Sequence, residues 1–214
     1  MPAERVRSEM RGATHASPAA RCRGDVGAIL VEAAFLTPLY LVLMFGIIEF
    51  GGAFRDYLTV NNAASSGARQ ASISANSVDA DYQIIQAVKR ASSAMPPAEI
   101  LHIVVFHATS PDSTLTSVSA SCAAFTASSG VCNTYTSAAF GWTSSSTHWG
   151  CGALSNDQYW CPTTRKAAQT GANGPPDFIG VYIQATHPYI TGLFGSSLTL
   201  TKTSILKIEP QSLT

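Results

Sequence analysis

From Ala28 to Ile48 the chain reads AILVEAAFLTPLYLVLMFGII, an unbroken apolar run whose one side chain charged at neutral pH is Glu32. A helix of that length rises about 30 Å, the thickness of a bilayer's hydrocarbon core. The run is too long for a signal peptide, and no small-residue cleavage site follows it. It predicts one membrane-spanning helix. Pro38 in mid-span removes a backbone hydrogen bond and predicts a kink or a locally melted turn. Gly46, Gly51 and Gly52 would let another helix approach closely.

Beyond Phe50 the pattern remains helical to about residue 75. The small residues Ala63, Ala64, Gly67, Ala68 and Ala71 suit close packing against a sheet or another helix, while Arg55, Asp56 and Arg69 suggest an exposed side. A second helix is predicted over 78–94. Asn76 or Ser77 would cap it, Asp79 and Asp81 would favour its first turn, and Pro96-Pro97 would stop it. Ile100–His107 (ILHIVVFH), Phe178–Ala185 and part of Leu198–Ile208 read as strands. Helices followed by strands give an α+β fold with a small antiparallel sheet. Between the first two strands, residues 109–177 carry few structural signals. From Thr109 to Trp149 there are 19 Ser/Thr in 41 residues and one charge, Asp112, so this stretch reads as a surface insertion. Gly171–Pro176 reads as a loop before the next strand.

Charge orients the span. Formal net charge is zero, which gives no general bias toward nucleic acid. Yet five of the 13 basic residues, Arg5, Arg7, Arg11, Arg21 and Arg23, precede the apolar run. The positive-inside rule places that leader in the cytoplasm and everything after Phe50 outside. Three segments result: a basic leader, 1–27; a transmembrane and extended helix, 28–75; and an extracytoplasmic domain, 76–214.

A carboxylate within hydrocarbon costs at least about 2–3 kcal/mol, so Glu32 needs a partner or a role. It could snorkel to the cytoplasmic headgroups. Alternatively, cleavage after Gly27 would give Ala28 a free amine four residues before Glu32, on the same helix face. That cation could pair with Glu32 of its own or a neighbouring chain and set a register between helices.

Gly27-Ala-Ile-Leu-Val-Glu32 has the prepilin-peptidase pattern. Val31-Glu32, Pro38, Gly46-Ile-Ile-Glu49-Phe-Gly51 and Asn62-Ala-Ala-Ser-Ser-Gly67-Ala-Arg69 follow in order. The run 31–72 resembles the TadE-like family, pseudopilins of the tight-adherence (Flp) pilus system. Val181-Tyr-Ile-Gln, Tyr189 with a Gly/Phe loop, and Lys207-Ile-Glu209 resemble that family's C-terminal end more loosely. Ala33 stands where the family often has Phe or Tyr. The resemblance implies removal of the leader between Gly27 and Ala28 by a prepilin peptidase. It also implies a pilin-like domain on a long helix, and a structural role as a minor pilin. Its partners would be other pilins or pseudopilins, the peptidase, the inner-membrane assembly platform and the lipid bilayer.

Cys122, Cys132, Cys151 and Cys161 lie in the insertion as two C-x9-C pairs. An even count outside the cytoplasm implies two disulfides. The local pairing, Cys122–Cys132 and Cys151–Cys161, is favoured over a long-range one. Cys22 in the leader should remain a thiol. Structural zinc sites use ligands two to four residues apart, so a nine-residue gap fits zinc poorly, and no metal or cofactor is expected. His102 and His107 fall on opposite faces of their strand, and His148 and His187 fall in separate loops. Trp142, Trp149, Tyr159 and Trp160 would form either a satellite core with the disulfides or an exposed contact patch. No catalytic motif of the usual hydrolases, zinc peptidases or nucleotide binders is present. After Asp81 the only carboxylates are Glu99, Asp112, Asp157, Asp177 and Glu209, so an acid–base pair and an enzyme are not expected. The alternative to a pilus component is an uncleaved, membrane-anchored binding or adhesion module.

Overall fold

Helix α1 runs without a break from Asp25 to Ser74, through Pro38. The computed structural model describes residues 25–74, 76–109, 118–167 and 175–209. The basic leader up to residue 24 with Cys22, most of the Gly171–Pro176 loop, and Asp112 lie outside the described residues.

The chain divides into two units, residues 1–46 and 47–214. In the first, the described residues are all helical, and Gly27 through Phe45 are exposed. Ile29, Leu30, Val31, Phe35 and Leu36 are each more than half exposed. A stripe facing a core would leave one polar side. Apart from Glu32 this segment is apolar all round, and the helix is long and apolar enough to cross a membrane. Thr37 Oγ1 donates to the Ala33 carbonyl at 2.6 Å, which occupies the one hydroxyl next to Pro38.

The second unit holds the rest of α1, a helix α2 (Ala80–Ala91), a one-turn helix α3 (Ala120–Ala123) and four strands. Strands β1 (Ile100–Ala108), β2 (Cys132–Tyr135), β3 (Phe178–Pro188) and β4 (Ser197–Lys207) form one antiparallel sheet in the order β2-β1-β3-β4. Both long strand ranges extend the sequence reading. Phe178–Ala185 grows to Pro188, and the C-terminal run is one eleven-residue strand. Strand β2 is a correction, because it lies inside the insertion that had read as loop. Its four residues, Cys-Asn-Thr-Tyr, are too few to show an alternation, and pairing with β1 supplies the order. Helix α2 is shorter than 78–94. Ser77 and Gln83 both donate to the Asp79 carboxylate, which ties down the start of the helix without a backbone cap. These bonds hold the Asp79 carboxyl below the ordinary aspartate value.

The sheet has a layer on each face. Along β1, Ile103 and Val105 join the larger core with α1 and α2, whereas Val104 and Phe106 join a second cluster with Val118, Cys122, Cys132 and Ile205. This two-sided burial explains the near-continuous apolar run in β1, since central strands covered on both faces lose their alternation. His102 and His107 fall on opposite faces: His102 stacks on Phe125, and His107 on Trp160. Burial holds the His102 imidazole below the ordinary histidine value.

Helix α1 packs through its small residues. Val60, Ala63, Ala64, Ala68 and Ala71 are all buried. A Cβ on Gly67 would lie 2.8 Å from Val88 Cγ2 on α2 and 3.2 Å from Val181 Cγ1 on β3. Three elements therefore meet at one hydrogen atom, and β-branched valines have little freedom to withdraw. Gly67→Val should lower stability by roughly 1–3 kcal/mol, the cost of overpacking a filled core. Urea unfolding of the full chain in detergent tests this; a midpoint equal to the parent's would count against the three-way contact.

Candidate functional site

In the first unit, Gly27, Ala28 and Glu32 lie in the opening turns of α1. Gly27 has open space around its α-carbon, and both Ala28 and Glu32 are exposed. Among the described residues nothing crowds the Gly27 α-carbon, and a carboxylate follows one helical turn beyond Ala28. An amine on Ala28 would share a face with Glu32 at i and i+4.

In the second unit, a stripe of α1 beginning at Glu49 meets the end of β3 and the β3–β4 loop. Glu49 is 1% exposed. Its carboxylate accepts from the Ile190 amide at 3.0 Å, the Thr191 amide at 2.5 Å and the Thr191 hydroxyl at 2.7 Å. Charge-assisted bonds to backbone amides are among the stronger ones, and here they hold a turn closed. One turn further along α1, a Cβ on Gly52 would lie 3.2 Å from His187 Cε1, so the glycine admits the imidazole. One more turn on, Asp56 Oδ2 lies 2.6 Å from His187 Nδ1, and Arg55 pairs with the other carboxylate oxygen at 3.1 Å.

Asp56 is therefore not on an exposed side; it is 2% exposed. His187 lies in β3 rather than in a loop, and it is buried. Spacing alone had shown no partner for either residue, because they are 131 positions apart. Above this pair, burial and the Asp56 charge raise the Glu99 carboxyl from its ordinary value. The loop itself turns on Gly192 and Gly195, both with positive φ, and the Tyr189 amide donates to the Ser196 carbonyl at its neck. Phe194 packs on Phe50, with ring centres 5.1 Å apart.

The insertion is organised around a second buried carboxylate. Asp81 Oδ1 accepts from Arg165 Nη2 at 2.6 Å, and both side chains are fully buried. Asp81 Oδ2 accepts from Asn133 at 2.8 Å and from the Tyr135 hydroxyl at 2.7 Å. Burial first, and then the Asp81 charge, push the Tyr135 hydroxyl well above the ordinary tyrosine value, so it stays a donor. Asn133 and Trp160 exchange two hydrogen bonds through the Trp160 backbone, and the Arg165 guanidinium stacks over the Trp160 ring. Asp81 is thus a junction between α2, β2 and the insertion, a role beyond the helix-end charge read from sequence.

The structure contains disulfides between Cys122 and Cys132 and between Cys151 and Cys161. The four aromatics do not make one exposed contact patch. Trp149 and Trp160 are buried, Trp142 is half-buried, and Tyr159 alone is exposed. Trp149 sits among Tyr82, Tyr135 and Trp142, which carries the insertion's interior into the main core. Among the described residues, no group of three or more His, Cys, Asp or Glu is arranged to hold a metal ion.

The carboxylates of Glu32 and Glu49 and the small residues from Ala63 to Ala68 fall in one continuous stretch, and that stretch matches a family model. Residues 27–69 carry a TadE-like domain. No curated protein and no solved structure matches the chain. The TadE-like segment opens at Gly27, contains Glu49, Gly52 and Asp56, and closes at Arg69. The hairpin those residues grip, and the whole insertion, lie outside it. The domain associates the chain with the Tad pilus system, and its apolar helix fits a membrane-anchored component of that system.

Proposed function

We propose that this protein is a TadE-like pseudopilin or minor pilin, a structural part of a tight-adherence pilus with no catalysis of its own. The observation that carries the reading is the junction Gly27-Ala28…Glu32 at the head of a helix whose next turns are apolar on every side and exposed. Removal of the leader between Gly27 and Ala28 would create a cation placed to neutralise Glu32. The Arg-rich leader would lie in the cytoplasm and the α+β domain outside. Disulfides in that domain suit an oxidising compartment.

The intact mass of the protein extracted from its host's membranes tests this. A chain beginning at Ala28 is expected. A chain that retains Arg5 through Arg23 would overturn prepilin-type processing and leave an uncleaved, membrane-anchored binding module.

A further inference from the structure

The Glu49 clasp fixes more than a loop. It holds the tip of the β3–β4 hairpin at the level of the first α1 residue beyond the apolar run 28–48. That tip is apolar and exposed: Ile190 is 80% exposed, Leu193 56% and Phe194 43%. Beside it on α1, Phe50 is 57% exposed and Phe54 63%. A surface loop this apolar, at a turn built on two glycines, is unusual for a segment that only reverses the chain.

We infer that the β3–β4 hairpin tip is a second membrane contact, seated in the bilayer interface. The inference rests on the reading that residues 28–48 cross a bilayer. The depth follows from the helix. If hydrocarbon ends at Ile48, the Ile190 and Thr191 amides bonded to Glu49 lie at the hydrocarbon–headgroup boundary. Tyrosine concentrates at this depth, as Tyr189 would here, and Phe50, Phe54 and Phe194 add apolar surface of the kind that interfacial segments bury. Arg55 lies six residues further on, about 9 Å along the helix. The headgroup layer is roughly 5–8 Å deep, so its exposed guanidinium is within reach of lipid phosphates. Glu49 itself gains from the arrangement. A carboxylate at that boundary has little water, and the tip provides three donors in its place.

Oxygen and nickel-chelate accessibility of a spin label tests this in the full chain, reconstituted in phosphatidylethanolamine–phosphatidylglycerol vesicles. Leu193→Cys carries the label, Cys22→Ser removes the competing thiol, and Leu154→Cys, 90% exposed in the insertion, is the aqueous control. The label at 193 should collide with oxygen several-fold more often, relative to nickel, than the label at 154. Equal ratios at the two sites would overturn the proposal. Dipolar broadening at 193 that vanishes on dilution with unlabelled chain would also overturn it, because a second copy would then cover the tip. The mass of the same preparation reports leader removal independently, so failure here is distinct from failure of the pseudopilin reading.

Discussion

Replacing Arg165 with methionine will destabilise the extracytoplasmic domain by about 3–5 kcal/mol, the cost of stranding one partner of a fully buried ion pair. Asp81 would keep its bonds from Asn133 and Tyr135 but lose the cation at 2.6 Å. Methionine preserves the volume of the stem, so the loss reports charge and hydrogen bonding rather than a cavity. Among the described residues the buried Arg165 Nε and Nη1 atoms have no hydrogen-bond partner, so the pair itself is incompletely satisfied there. Neutralising the stranded carboxylate should therefore help. Adding Asp81→Asn to Arg165→Met should recover part of the lost stability, since an amide oxygen can still accept from Tyr135. Urea unfolding in detergent, followed through tryptophan fluorescence, measures both. A double variant no better than the single one would mean that packing, not the unpaired charge, dominates the loss.

The second large effect is expected from the disulfides. Each joins cysteines ten residues apart, and loop-closure entropy gives about 2–3 kcal/mol per bridge. Their consequences should differ. Cys122 and Cys132 are both buried in the cluster on the sheet's outer face, so their loss loosens α3 from β2. The Cys151–Cys161 loop carries Asp157, which accepts from the Gly150 and Cys151 amides at 2.8 and 2.9 Å. It also presents the Trp160 carbonyl that Asn133 and Arg165 both use. Cys151→Ala/Cys161→Ala and Arg165→Met disturb one network, so their costs should sum to more than the combined variant shows. Alanine replacement of either pair should lower the urea midpoint. If full reduction of the wild-type chain left the midpoint unchanged, the bridges would contribute nothing to stability.

The elements that were legible before any coordinates share one property: each is set by neighbours in sequence. The apolar run 28–48 is a matter of length and composition. The Ala63–Ala71 stripe and the Ile84, Ile85, Val88 spacing of α2 are periodicities of one helix. Ile100–His107 stands out through β-branched residues between prolines. Strand β2 did not stand out, since four residues in a Ser/Thr-rich stretch carry no period. Asp56 was misread, and the further role of Asp81 was not legible, for a related reason. A carboxylate on a helix looks solvated until its distant partner is known, and those partners, His187 and Arg165, are 131 and 84 residues away.

By itself, then, the chain's order of residues determined the apolar span, the glycine–glutamate junction that opens it, the TadE-like motif and the α+β class. These depend on local helix physics, on the partition of side chains into lipid, and on short spacings. Only the tertiary structure decided what Glu49 does, because its donors are backbone amides of a loop 141 and 142 residues away, which no side-chain pattern encodes. The same holds for the fate of the tryptophans. A Trp-rich loop can be a core or a patch, and the choice here falls to core because Asp81, Arg165 and Asn133 hold Trp160 inward while Tyr82 and Tyr135 enclose Trp149.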